Sequence, residues 1–179
     1  MPISVRSPRS LAGLAPAIRS LVRTALRSAG RTAGEVGVAL ADDTLLRALN
    51  RDFRGLDKAT DVLSFGYDAS GELAMPESIA PERRDGRPEP VSGDLVISMD
   101  RVRDQAKRFR VSEGEELARL IVHGALHLAG LDHQKPAERR AMRAREDRVL
   151  AASATPVKTL AKGMRAAATP AGRRAKAQS

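Results

Sequence analysis

The chain has no cysteine and no tryptophan, and its only aromatic side chains are Phe53, Phe65, Tyr67 and Phe109. Without cysteine there is no disulfide framework, no cysteine-based structural zinc site and no thiol nucleophile, and the absence fits a reducing cytoplasm. Four aromatics in 179 residues are too few for the usual platform on which single-strand binders stack bases. No uninterrupted apolar run approaches the length of a membrane span, so no membrane partner is expected. Pro16 and Arg19 interrupt the apolar residues near the N-terminus, which leaves no secretory signal core.

Acidic residues are missing from both ends. Residues 1–34 hold six arginines and no acid, and residues 151–179 hold six basic residues and no acid. All 22 acids lie between them, against 19 of the 31 basic residues, so the net charge of +9 belongs to the ends. Basic ends suit a polyanionic partner such as RNA. Arginines also fill solvated faces and solubilising tails, and charge alone does not separate the two. The acid-free N-terminus resembles an organellar transit peptide in composition. Its Leu11, Leu14, Ile18, Leu21, Val22, Ala25 and Leu26, however, keep helical spacing and predict a core-packing helix over 9–29.

Histidine is equally scarce, but concentrated. All three histidines fall in one eleven-residue stretch from His123 to His133. His123 and His127 stand four apart, so on a helix they project from one face about a turn apart. Gly130 lets the chain leave that helix through a left-handed conformation and bring His133 back beside them. Three imidazoles from a helix and its exit turn make an open site for one zinc ion, with a fourth position left for water. The spacing is that of the long zinc-protease motif, except that Gly124 stands where those enzymes carry a glutamate base.

Around this stretch the pattern predicts an α+β fold, a small mixed β-sheet packed with helices, the central helix carrying the histidines. Strands are expected at 35–40, 60–65 and 93–98, and helices at about 43–50, 100–110 and 137–150. Ser112 and Glu115 form a capping box that opens the metal helix. On that helix Gly124 shares the buried stripe with Leu117, Ile121 and Leu128, which implies that something passes close to it. From 66 to 92 the composition predicts a long loop with a short hairpin strand near Glu72–Met75. Residues 1–150 read as a single domain, and 151–179 as a basic, disordered tail. Asp132 either orients an imidazole or satisfies the turn, and Glu116, on the ligand face of the helix, reads as structural.

Three blocks give the chain a resemblance to the YbeY family, the bacterial metal-dependent endoribonucleases of rRNA maturation. They are Leu49-Asn-Arg-Asp-Phe-Arg-Gly55 leading into Thr60-Asp-Val-Leu-Ser-Phe65, then Gly93-Asp-Leu-Val-Ile-Ser98, then Glu116 through His133. The resemblance covers about 35–150. It implies a zinc site at His123, His127 and His133 and a functional arginine at Arg54. It also implies single-stranded RNA as substrate, with work on the 3′ end of 16S rRNA in the small ribosomal subunit and in ribosome quality control. Leu131 departs from the family, which usually has Tyr or His there. Arginine's planar fork suits the non-bridging oxygens of a phosphodiester, which makes Arg54 the catalytic candidate. The alternative is an arginine pairing Asp57 or Asp61 at a turn. With no base beside His123, the nucleophile is either water activated at the metal or the RNA 2′-OH. Two rival functions are a ribosome assembly factor with a structural metal and, further off, a zinc peptidase.

Overall fold

The computed structural model describes residues 3–68, 70–74 and 88–169. Four strands, β1 (Ile3–Arg6), β2 (Arg31–Ala41), β3 (Val62–Tyr67) and β4 (Glu89–Ser98), form one sheet in the order β1-β2-β4-β3. β1, β2 and β4 are parallel, and β3 runs antiparallel to β4 at the edge. Helices α1 (Ala15–Ser28), α2 (Asp43–Arg54), α3 (Met99–Phe109), α4 (Glu113–Leu128), α5 (Pro136–Ala152) and α6 (Ala154–Ala168) complete the described residues. The architecture is the expected α+β arrangement with a mixed sheet.

Alternation along the strands decides which helix lies on which face. Leu95 and Ile97 of β4, with Val36, Val38 and Leu40 of β2, join the main core beneath α1 and α4. Val96 points the other way and, with Leu63, packs under Leu46 of α2. α4 is buried around most of its circumference, not along one stripe only: Leu117, Ala118, Leu120, Ile121, Val122, Ala125 and Leu126 are all inaccessible or nearly so. None of the described helices is long and apolar enough to cross a membrane.

The elements differ from the expectations at several points. β1 is too short to announce itself in sequence; its partner β2 supplies the reason for the strand. The predicted helix over 9–29 is a 3₁₀ turn at Arg9–Leu14 followed by α1, with Pro16 in the first turn, where a missing N–H costs nothing. The predicted loop is shorter at both ends, because β3 reaches Tyr67 and β4 already begins at Glu89. Pro90 is tolerated in β4 because β3 pairs no further than Ser92 on that side. Leu73 bridges Tyr67, which leaves the hairpin at a single antiparallel pair. Met75, and the loop residues 75–87, lie outside the described residues.

The basic tail is the largest correction. Residues 154–168 form α6, with Leu160 and Met164 buried in the main core. Pro156 lies in the helix's first turn, where proline is tolerated. Gly163 sits against the side chain of Leu14, and Gly114 of α4 against the backbone of Leu160 and Ala161, so these glycines permit close packing. Val157, Leu160, Ala161, Met164 and Ala167 follow helical spacing and supply the apolar face. The remainder of the expected tail, 170–179, lies outside the described residues.

Candidate metal centre

The site begins with a well-capped helix. The Ser112 hydroxyl accepts from the Glu115 backbone N–H at 3.2 Å, and the Glu115 carboxylate accepts from Ser112 N–H at 2.8 Å. Glu113, Glu115 and Glu116 place negative charge in the first turn, where the helix dipole favours it. At the other end Leu131 N–H donates to Leu126 C=O at 3.1 Å and Gly130 N–H to His127 C=O at 2.9 Å. This is a Schellman stop, with Gly130 at φ +93°. Leu131 packs against the core, as the residue after such a glycine commonly does. An apolar side chain therefore suits this position.

The turn brings the three histidines together. His127 Nε2 lies 3.0 Å from His123 Nε2 and 2.9 Å from His133 Nε2. The three half-buried side chains thus present donor atoms all within 4.8 Å of one another. Burial, reinforced by the charges His123 and His133 would carry, pushes His127 down to about 4, with Asp132 and Glu146 opposing. His127 is therefore neutral at pH 7 and keeps a lone pair. Lone pairs this close repel unless a cation or proton lies between them. A divalent ion with nitrogen preference fits the donor set.

One residue of the site was missing from the sequence reading. Glu146 of α5 is buried, and its Oε1 lies 2.5 Å from His123 Nδ1. The carboxylate accepts, so Nδ1 carries the proton and Nε2 is left free to bind a metal. A signal was available: Met142, Glu146 and Val149 are the buried positions of α5, at helical spacing, and one of them is an acid.

Asp132 does not touch an imidazole. Its two oxygens accept from His133 N–H at 2.7 Å and from the Gln134 amide at 2.9 Å, which hold its pKa below the ordinary carboxylate value. Its role is to shape the turn. Glu116, the buried acid on the ligand face, forms a two-point pair with Arg119 at 2.7 and 3.0 Å. Arg119 also reaches Gln105 at 3.2 Å, and Gln105 reaches Asp61 at 3.1 Å. This chain ties α4 to α3 and to the start of β3.

Gly124 has the close neighbour its position implied. A Cβ there would lie 3.1 Å from Val62 and 3.3 Å from Leu95, and Ser64 donates to the Gly124 carbonyl at 3.1 Å. Strands β3 and β4 occupy the space into which a glutamate at this position would grow.

Arg54 is the last residue of α2, before Gly55 in the left-handed region at φ +68°. The Asn50 side chain holds the following turn by donating to Lys58 C=O at 2.9 Å. Asp57 is taken by Arg47 at 2.8 and 2.9 Å, and Asp61 by Gln105, so neither pairs with Arg54. Arg54 is exposed and makes no ion pair or hydrogen bond among the described residues, the three histidines included.

The model of the family described as Endoribonuclease YbeY matches residues 9–154. The chain belongs to the YbeY family. The Endoribonuclease YbeY of Desulforamulus reducens is 39% identical over 134 residues, covering 74% of this chain and 82% of that one. The Endoribonuclease YbeY of Chloroflexus aggregans is 43% identical over 123 residues, covering 68% and 75%. A solution structure from Thermotoga maritima is similar over 87% of this chain and 95% of that one, at 21% identity and a TM-score of 0.48.

Proposed function

We propose that this chain is a zinc-dependent endoribonuclease that cleaves single-stranded RNA. Its target in this reading is the 3′ end of 16S rRNA on the small ribosomal subunit, in maturation and ribosome quality control in the cytoplasm. The observation that carries the chemistry is the convergence of three Nε2 atoms, within 4.8 Å, on one face of a buried helix. Membership of the YbeY family, whose curated relatives are named endoribonucleases, supports the substrate class.

His123, His127 and His133 would hold the ion, and Glu146 fixes the tautomer and direction of His123. Zinc bound there supplies Lewis acidity and makes a nucleophile available near neutral pH. Arg54, which no carboxylate engages among the described residues, can receive a non-bridging phosphate oxygen in two-point geometry. Charge developing on that oxygen in the transition state is then met by a cation that need not break an existing pair. The packing at Gly124 argues against a peptidase, because a glutamate base has no space there.

The test is metal analysis together with cleavage of single-stranded RNA, for the unaltered chain and His127→Ala. The expected result is about one zinc per chain, with cleavage lost together with the metal. Bound zinc without cleavage in metal-replete protein would favour an assembly factor with a structural metal. No bound metal would remove the reading altogether.

A further inference from the structure

The face of the sheet turned away from α4 carries a groove of about 360 Å³. Three of the chain's four aromatic side chains line it: Phe53 of α2, and Phe65 and Tyr67 of β3. Phe53 and Phe65 meet edge to face with ring centroids 5.3 Å apart, and Phe53 stays 55% exposed. Arg6, on β1, lines the groove too; it is exposed and makes no ion pair among the described residues. Asp94 of β4 also lines it. The Tyr67 hydroxyl donates to Asp94 Oδ2 at 2.5 Å, while Oδ1 lies over Gly37, where any Cβ would collide with it. Oδ1 accepts no hydrogen bond among the described residues.

We propose that this groove binds one unpaired nucleobase of the single-stranded RNA substrate. The base stacks on Phe53, donates its exocyclic amine to Asp94 Oδ1 and places a neighbouring phosphate at Arg6. A base with its phosphate offers a π-face, an amine donor and an anion in one unit, which matches all three features of the groove. An aliphatic peptide side chain would leave the carboxylate and the guanidinium unanswered. The inference rests on the endoribonuclease reading, and β3 is what connects the two sites. Val62 and Ser64 on one side of this edge strand touch Gly124, between two of the histidines, while Phe65 and Tyr67 on the other side line the groove. RNA passing around the β3 edge meets both faces, and Arg54 follows Phe53 directly in the chain. Cytosine, adenine and guanine carry the amine; uracil has none, and its one ring donor, N3–H, is flanked by two carbonyl oxygens that Asp94 repels, so it is the disfavoured base.

Phe53→Trp tests this directly, because the native chain has no tryptophan and the new indole becomes a single reporter in the groove. Zinc-replete protein is titrated with single-base RNA oligomers and assayed for cleavage. Oligocytidine should quench the indole saturably and oligouridine only weakly, and Asp94→Asn should erase that preference. Phe53→Ala should raise KM about tenfold with kcat little changed, the scale expected for one lost base stack, and Phe53→Trp should restore KM. An unchanged KM in Phe53→Ala and no quenching, with cleavage intact, would overturn the groove and leave the nuclease reading standing. Failure of the unaltered chain to bind or cleave any RNA would overturn both. Quenching by an apolar peptide in place of RNA would assign the groove to a protein and overturn the proposal.

Discussion

Glu146 of α5 accepts a hydrogen bond from His123 Nδ1 at 2.5 Å, so the candidate metal site is built from two helices and the turn between them. The carboxylate settles which ring nitrogen of His123 is available and which way it points. Partners of this kind matter for metal affinity as well as orientation.

Removing that carboxylate should therefore loosen the metal without unfolding the chain. Glu146→Gln is expected to weaken zinc binding roughly 10–100-fold, measured by competition with a chromophoric chelator. Affinity equal to that of the unaltered protein would mean that His123 is held by packing alone.

Arg54 lies exposed at the end of α2 and shares no hydrogen bond or ion pair with the histidines. Arg54→Ala should leave zinc content and melting temperature unchanged and lower kcat on RNA about 100-fold, typical of losing one transition-state charge partner. Turnover within twofold of the unaltered enzyme would exclude that role.

α6 carries Leu160 fully buried and Lys158 exposed on the same helix. Leu160→Ala should cost about 2–5 kcal/mol in urea denaturation, and Lys158→Ala no more than about 0.5 kcal/mol. Equal, small effects would return the helix to the status of an appended tail.

Tyr67 is the only tyrosine, so its titration can be followed by the ultraviolet absorbance of the phenolate. The hydrogen bond to Asp94, then burial, raise its pKa from 10.0 to about 12. Between those values the unfolded chain releases a proton that the folded chain keeps. The stabilising contribution is thus complete below about pH 10 and is lost as pH rises toward 12. Asp94→Asn should bring the midpoint back toward the ordinary value; a midpoint near 10 in the unaltered protein would show that the hydrogen bond does not persist in solution.

Much of the metal centre was legible because its geometry is local. The spacing of His123 and His127, the capping box at Ser112 and the glycine stop at Gly130 all act within two helical turns, and backbone stereochemistry is nearly the same in any fold. The reading of Gly124 as a point of close approach was legible too, but not what approaches: Val62 and Ser64 lie 60 or more residues earlier. In the C-terminal stretch Pro156, Gly163 and the run of basic residues outweighed a genuine apolar face. That face gains its stability by docking on α4, on α1 and on Leu14, all distant in the chain.

Sequence alone therefore determined the type and spacing of the candidate ligands and the helix-and-turn that presents them, since short-range sterics and hydrogen bonding suffice for these. Tertiary structure decided which acid orients His123, that neither Asp57 nor Asp61 pairs with Arg54, and that α6 belongs to the core. It also gathered Phe53, Phe65, Tyr67 and Arg6 into one groove. Each of these depends on side chains far apart in the chain meeting in space, and local propensity carries no information about which surfaces will be buried together.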